Sequence, residues 1–478
     1  MVKTRFAPSP TGYLHVGGLR TALYAYLFAR QNKGVFALRI EDTDQKRYVE
    51  GAVESLQNAL KFFDLNWDEG PIFQSKRTEI YTKYARELVL KGAAYPCFCT
   101  PERLEEMRKQ QEAKKQPPKY DRLCLNLSEA EVKARAEAGE PYVIRQRIPN
   151  VDLDFHDLVR GDMHFHGNDI DDQVLIKSDG FPTYHLANVV DDHEMEVTHV
   201  IRGEEWLPST PKHLWLYEAF GWTPPQFAHL SLLLNPDRSK LSKRQGDVAA
   251  EDYVKKGYLK EAMLNFIAFL GWNPGTEEEF FTLDQLVDRF SFDRVQKAGA
   301  VFSLEKLDFL NGHYIRAKSV DELADLVKPW LEETDWYSGT HTKPEDFKRF
   351  LASVQLRMKT LADAAPMLRP FLLDQLDYDL NLFLNEKMKV DRAMAAMAIE
   401  NSLPALEALD DYSSEESVKP TLVGVIEKLG VKNGQVLWPL RVALSNEQYS
   451  PGTFELIVLL GKELTLKRLK RALDKIKA

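Results

Sequence analysis

The spacing of apolar positions sets the local structure along this chain. Phe6 and Ala7 close a short apolar strand, and from Val16 to Arg30 the residues Leu19, Leu23, Tyr26 and Leu27 recur at helical spacing. Val35-Phe-Ala-Leu-Arg-Ile40 reads as a second strand, ending in the acidic residues Glu41, Asp42 and Asp44, while Glu50 to Phe63 and Arg77 to Leu90 read as amphipathic helices. This alternation over residues 1 to about 95 predicts a parallel α/β sheet. Ligands of such sheets sit at the carboxyl ends of the strands, where His15, Glu41 and Asp44 fall.

From about Tyr95 the pattern changes. Cys97-Phe-Cys99 leads into a charged helix from Pro101 to about Lys115, then Pro117-Pro118 and Cys124; Tyr142 to Ile148 and Asp172 to Lys177 read as strands of an insertion. The first pattern resumes with Pro182 to Val190 leading into Asp191-Asp192-His193, a strand from Thr198 to Glu205, a helix from Pro211 to Phe220 and a strand from Ala228 to Leu234. Beyond about Gly246 the chain reads as helices: Tyr258 to Leu270, Thr282 to Arg289, Leu304 to Leu310, then helix after helix from Ala317, punctuated by Pro366, Pro404, Pro439 and Pro451.

At 478 residues the chain has room for three or four domains, and its 44% apolar content supports ordinary cores. No apolar run reaches about 18 residues, so no membrane span is expected, and a strand that starts within about five residues of the N-terminus leaves no room for a leader peptide. Three cysteines argue against a disulfide framework and fit a reducing cytoplasm. The net charge of -9 means that a nucleic-acid partner must meet local basic surface. Lys462 to Ala478 is the most basic stretch, although a solvated helix face is the simpler interpretation.

Candidate chemistry begins between the first strand and the first helix. Pro8, Pro10 and Gly12 impose a loop, Gly17 and Gly18 allow close backbone approach, and His15 can donate to a phosphate oxygen. Alone, this describes a turn. A second stretch, Lys240-Leu241-Ser242-Lys243-Arg244, changes the picture. Together with His15-Val16-Gly17-Gly18 it resembles the HIGH and KMSKS signatures of class I aminoacyl-tRNA synthetases. Phe6-Ala-Pro-Ser-Pro-Thr-Gly12, Arg39-Ile-Glu-Asp-Thr-Asp44, Leu234-Asn-Pro-Asp237 and Trp438-Pro-Leu-Arg441 resemble the bacterial-type glutamyl-tRNA synthetases, and the resemblance runs nearly the whole length.

That resemblance implies a Rossmann-like parallel-sheet catalytic domain with an α+β insertion, followed by an all-α anticodon-binding region rather than the β-barrels of glutaminyl or eukaryotic relatives. The implied boundaries are 1–95 and 182–235 for the two Rossmann halves, 96–181 for an inserted acceptor-stem-binding domain and 236–315 for a helical stem-contact domain carrying the lysine motif. Two anticodon-binding helical subdomains follow at 316–375 and 376–478.

It also implies ATP-dependent ligation of glutamate to tRNA(Glu) through a glutamyl-adenylate, with Mg²⁺ accompanying ATP; whether tRNA(Gln) is also charged stays open. His15, Lys240 and Lys243 would stabilise phosphate charge, with Gly12, Gly17, Gly18 and Ser242 completing the ATP site. Glutamate needs cations for two carboxylates and an anion for its ammonium: Arg5 and Arg202 are the cations, Glu41 the anion, with Ala7, Ser9, Tyr184 and Asn188 completing the pocket. By resemblance Arg5, Tyr184 and Asn188 meet the side-chain carboxylate and Arg202 the α-carboxylate; the plain alternative for Arg202 is a salt bridge to Glu204 or Glu205. A glutamine amide against arginine would leave donors facing donors, so no editing domain is expected.

Asp44 and Arg47 lie, by resemblance, near the terminal adenosine of tRNA; a helix N-cap is the alternative for Asp44. Arg357 is a candidate reader of the third anticodon base, with a surface salt bridge as alternative. Cys97, Cys99 and Cys124 match a zinc site of some family members, but Asn126 stands where the fourth ligand belongs and no spacing rule supports Asp121 in its place, so a knuckle without zinc is expected. A truncated paralogue that modifies a tRNA base would lack the C-terminal half, and a nucleotidyltransferase would need neither insertion nor tail. A binding-only paralogue would be expected to lose His15, Lys243 or the pocket residues. The chain is expected to act as a monomer, since no heptads or large apolar faces demand otherwise.

Overall fold

In the computed structural model the described residues are 1–241, 249–339, 342–373 and 375–478. They form two compact units, Met1–Lys255 with Lys260–Leu307, and Lys256–Leu259 with Asp308–Ala478.

The first unit opens with β1 (Lys3–Phe6), α1 (Val16–Gln31), β2 (Val35–Ile40), α2 (Ala52–Phe62), β3 (Glu69–Phe73) and α3 (Thr78–Leu90). The strands pair in parallel, Lys3 opposite Val35 and Ile40 opposite Phe73, as the buried runs of β1 and β2 require. The middle segment holds β4 (Ala94–Cys97), α4 (Pro101–Ala113), α5 (Glu129–Glu137), β5 (Val143–Gln146), β6 (Leu153–Asp157), β7 (Gly161–Phe165) and β8 (Val174–Ile176). Strands β4, β5 and β8 make a separate antiparallel sheet. The β6–β7 hairpin instead joins the main sheet, through α6 (Tyr184–Glu194), β9 (His199–Gly203), α7 (Thr210–Phe220) and β10 (Gln226–Leu230), with Asp157 opposite Phe227. The main sheet therefore has the order β3-β2-β1-β9-β10-β6-β7 and is parallel except for its β7 edge. Strand order reverses between β1 and β9, so the crevice for a ligand opens at their carboxyl ends.

One predicted strand, Ala228 to Leu234, divides in two. β10 stops at Leu230, and β11 (Leu233–Leu234) leaves the main sheet. At the break, buried Arg20 donates to the Ser231 carbonyl, and the Leu232 N–H donates to Glu204 at 2.8 Å. Side chains thus satisfy the backbone groups that would have continued the ladder. α8 (Ala250–Lys255), α9 (Lys260–Ala268), α10 (Leu283–Arg289), β12 (Ala300–Val301), parallel to β11, and the start of α11 (Leu304–Ala317) complete the unit.

The second unit is helical, with α12 (Val320–Glu332), α13 (Pro344–Gln355), α14 (Ala364–Leu372), α15 (Arg392–Glu407), α16 (Glu415–Leu429), α17 (Asn433–Ser445) and α18 (Thr453–Lys477). Pro404 and Pro439 do not end helices as expected; they lie inside α15 and α17. Each proline forfeits one backbone bond. The buried faces, Ala395, Ala398, Ile399 and Leu406 on α15 and Val436, Leu440 and Leu444 on α17, hold the helices together across them. The basic stretch after Lys462 is not one free cationic face. Arg468 is buried and donates to the Leu444 and Leu373 carbonyls at 2.6 Å, while Lys470 and Lys477 pair with Glu407 and Glu400.

Candidate functional site

β1 delivers Arg5 to the sheet's carboxyl edge and ends in a loop pinned by the Glu41 N–H to the Pro8 carbonyl (3.0 Å) and the Val49 N–H to Pro10 (3.0 Å). Gly12 follows with φ 153°. His15 then caps α1: its extended backbone starts the helix, and its Nδ1 accepts the Gly18 N–H at 3.1 Å. As a neutral imidazole the ring therefore carries its proton on Nε2. A side chain at Gly18 would place Cβ 2.9 Å from Leu14 Cδ1, and one at Gly17 would come within 3.0 Å of the His15 ring. It is the glycine at position 17 that leaves room for the capping ring.

A cavity of about 480 Å³ opens here. Gly12, His15, Gly17, Gly18 and Lys240 line it. Arg5, Ala7, Ser9, Glu41, Tyr184 and Arg202 line it as well. Lys240 is held by the turn after β11, where the Asn235 N–H bonds to the Ser239 carbonyl at 2.8 Å and Lys240 bridges back to Leu234. Ser242 and Lys243 lie outside the described residues.

Two buried polar networks hold the cavity wall. In the first, Arg39, fully buried on β2, donates to Asp192 Oδ1 (2.7 Å), Glu41 Oε1 (3.0 Å) and the Asn188 amide oxygen (2.9 Å). Arg5 donates to the same Asp192 and Asn188 oxygens at 3.0 and 3.2 Å. Asn188 therefore stands behind Arg5, its carbonyl shared by two guanidiniums. Asp191 takes Arg77 (2.8 Å), Gln74 (2.9 Å) and Tyr81 (2.7 Å). Three arginines balance three carboxylates. Burial raises the Glu41 carboxyl, opposed by Arg39 and Arg5; burial would also raise Asp192, but Arg39 and Arg5 overcome it and hold that carboxyl below its ordinary value.

The second network surrounds Arg202, which is 5% exposed. Its guanidinium donates to His229 Nε2 (3.0 Å), Tyr184 Oη (3.1 Å), His213 Nδ1 (3.2 Å) and Thr210 Oγ1 (3.0 Å). Because arginine only donates, both rings present bare nitrogens to it. His229 then donates from Nδ1 to Asp157 at 2.6 Å, and His213 from Nε2 to His185 at 3.1 Å. Burial holds the His229 and His213 imidazoles below their ordinary range, with the Arg202 charge acting in the same direction. The salt bridge to Glu204 or Glu205 does not form. Glu204 is engaged by Arg160 and the Leu232 N–H, and among the described residues no carboxylate pairs with Arg202.

Asp44 and Arg47 pair with each other at 2.6 Å and line an adjacent cavity of about 670 Å³ that shares Ser9, Glu41, Tyr184 and Trp206 with the first. Asp44 caps no helix: α2 begins only at Ala52, with Gly51 as its N-cap. Arg357, in the second unit, donates to the Ser353 carbonyl at 2.6 Å and lies 3.6 Å from Glu455.

The three cysteine sulfurs lie within 4.8 Å of one another. Asp121 is taken by Arg103, and the Tyr120 hydroxyl sits 3.3 Å from Cys97 and 3.2 Å from Cys99. With the three sulfurs this hydroxyl makes a cluster of four donor atoms. For Cys97, burial is outweighed by Tyr120 and Arg145, which lower the thiol's value; Cys99 is pushed up to about 11 by burial.

Sequence reasoning missed Tyr120, Arg39, Asp192, His213, His229 and Trp206. Arg39 carried a signal, a charge inside the apolar run Val35–Ile40. The histidines carried none, because their roles come from β9, α7 and β10 meeting in space.

Residues 1–309 match the family described as the catalytic domain of class I tRNA synthetases (E and Q), and residues 322–473 match an anticodon binding domain. A glutamate–tRNA ligase of Clostridium botulinum is 46% identical over 487 aligned positions, covering 100% of this chain and 99% of its own. One from Clostridium tetani is also 46% identical, over 100% and 98%. The crystal structure of a glutamate tRNA ligase from Elizabethkingia meningosepticum in complex with its amino acid superposes with a TM-score of 0.87 at 36% identity, covering 99% of each chain.

Proposed function

The chain belongs to the glutamate–tRNA ligases of the class I tRNA synthetases, and from that premise we propose that it activates glutamate as an adenylate in the cavity at the ends of β1 and β9 before transferring it to tRNA. One observation carries this reading. Arg202 is a buried cation on the cavity wall whose bonded partners are all neutral, an arrangement that favours an anionic ligand at that point.

In the first step an α-carboxylate oxygen of glutamate attacks the α-phosphorus of ATP, and pyrophosphate leaves. Neither this step nor the transfer needs a protein nucleophile; positioning and charge stabilisation suffice. Arg202 holds the α-carboxylate, and Glu41 receives the ammonium. Arg5 and Tyr184, with Asn188 behind them, face the side-chain carboxylate. The His15 Nε2–H and the N-terminus of α1 meet phosphate oxygens. Lys240, with Lys243, neutralises charge on the leaving pyrophosphate. Mg²⁺, held mainly by the phosphates and water, would add Lewis-acid charge neutralisation. In the second step a ribose hydroxyl of the terminal adenosine takes the glutamyl group, releasing AMP; the adjoining cavity with Asp44 and Arg47 suits that nucleotide.

Selection against glutamine follows from charge. An amide in place of the carboxylate strands a buried arginine, at a cost of about 3–5 kcal/mol. Arg357 remains the proposed reader of an anticodon base.

ATP–pyrophosphate exchange with glutamate, run without tRNA, with tRNA(Glu) and with tRNA(Gln), tests the reading. Exchange only with tRNA(Glu) is expected. Stimulation by tRNA(Gln), followed by its glutamylation, would mark relaxed tRNA specificity. No exchange in any arm would overturn the adenylate route.

A further inference from the structure

The β6–β7 hairpin carries a cluster of donors that the ligase chemistry does not use. Strand alternation turns Asp154 and His164, directly opposed in the register, to the exposed face, and extends that face to Asp152 before β6 and His166 after β7. His164 Nε2 lies 3.3 Å from His166 Nδ1 and 3.7 Å from Asp152 Oδ2; His166 Nδ1 lies 3.2 Å from the same Oδ2. We propose that Asp152, His164 and His166 form a binding site for a late first-row divalent transition-metal ion, of the Zn²⁺ or Ni²⁺ class.

Three features carry the assignment. The donor triangle has the edge length of one face of a coordination tetrahedron, about 3.3 Å for bonds of about 2.0 Å. Two imidazoles and one carboxylate on one face leave the remaining positions to water, the donor set that suits Zn²⁺, Ni²⁺ or Cu²⁺ rather than Ca²⁺ or Mg²⁺. The outer shell is also in place. Asp154 Oδ1 lies 2.7 Å from His164 Nδ1, fixing the ring with Nε2 towards the metal, and the Gly167 N–H donates to Asp152 Oδ1 at 3.0 Å, turning Oδ2 inwards. A bound ion would staple the open ends of the hairpin, opposite its turn at residues 158–160. All four side chains are exposed, so the ion would exchange freely with solvent.

The test is calorimetric titration of the tag-free full chain with Ni²⁺ alone, beside His164→Gln/His166→Gln and Asp154→Asn variants. Comparing stoichiometries removes any contribution from the cysteine cluster. The wild-type chain should bind one equivalent more than the double variant, and X-ray absorption should show imidazole scattering that the double variant lacks. Asp154→Asn should weaken that equivalent about tenfold. Glutamate-dependent exchange should be unchanged in both variants, which also reports that they fold. Equal stoichiometry and affinity in the wild type and the double variant would overturn the site.

Discussion

His229 accepts the Nε–H of Arg202 at 3.0 Å on one ring nitrogen and donates to Asp157 at 2.6 Å from the other. A carboxylate on β6 thus fixes the tautomer of an imidazole on β10, which in turn aims a guanidinium on β9. Removing the ring in His229→Leu takes one hydrogen bond from a charged donor, about 1.5–3 kcal/mol. The glutamate KM should rise roughly tenfold or more, with the ATP KM unchanged. Exchange kinetics with each substrate varied in turn would decide; an equal rise in both would remove His229 from the amino-acid side of the cavity.

Lys240 lines the same cavity as His15, Gly17 and Gly18 and is held there by the turn after β11. Lys240→Ala should lower kcat on the order of 10²-fold while leaving tRNA affinity nearly unchanged. Single-turnover adenylate formation and tRNA filter binding measure the two separately. A mutant that loses tRNA affinity and keeps its activation rate would contradict the assignment.

Arg39 touches no part of the cavity and yet holds three carboxylates, Glu41, Asp191 and Asp192. Arg39→Met takes from Glu41 its hydrogen-bonded arginine and leaves Asp191 with Arg77 and Asp192 with Arg5 alone, and should destabilise the first unit by about 3–5 kcal/mol. Denaturant unfolding followed by tryptophan fluorescence would detect that loss. An unshifted midpoint would show that the network contributes nothing to stability.

Acid should act on the histidines first. Burial pushes the His185 imidazole down to about 3 from an ordinary 6.5, with Lys212 and Arg202 adding to it, and holds His213 down as well. A folded-state value below the unfolded one means that the unfolded chain binds more protons. This stability is complete above pH 6.5 and is lost as pH falls from there towards 3. Asp192, also depressed, withdraws its share below 3.8, whereas Glu41, raised by burial, gains in the opposite sense. Urea midpoints should therefore fall between about pH 7 and about pH 5, and His185→Gln should flatten that slope. A midpoint independent of pH in both chains would refute the buried-neutral histidines.

Much of this was legible in the sequence because it is local. The Val16 helix, the Val35–Ile40 strand and the placing of His15 and Glu41 at strand ends follow from periodicity, glycine placement and the carboxyl-end rule, while Arg202 came from the family resemblance and the charges of glutamate. What stayed hidden depends on non-local pairing. Nothing near Arg202 announces His229, twenty-seven positions on, or Asp157, forty-five back, and the break at Ser231 requires Arg20 from another element. Proline was misleading at Pro404 and Pro439, because tertiary packing outweighs one lost backbone bond. The sequence search around the cysteines looked at a fixed spacing after Cys124, whereas the hydroxyl that meets Cys97 and Cys99 comes from Tyr120, before it.

The β6–β7 hairpin belongs by sequence to the inserted segment and by pairing to the main sheet. The segment between the two halves of the catalytic sheet is therefore no detachable cassette. Excising residues 96–181 would strip two strands from the sheet, bare the flank of β10 and remove the carboxylate that orients His229. Swapping the segment between relatives would preserve activity only where the donor carries its own counterpart of Asp157.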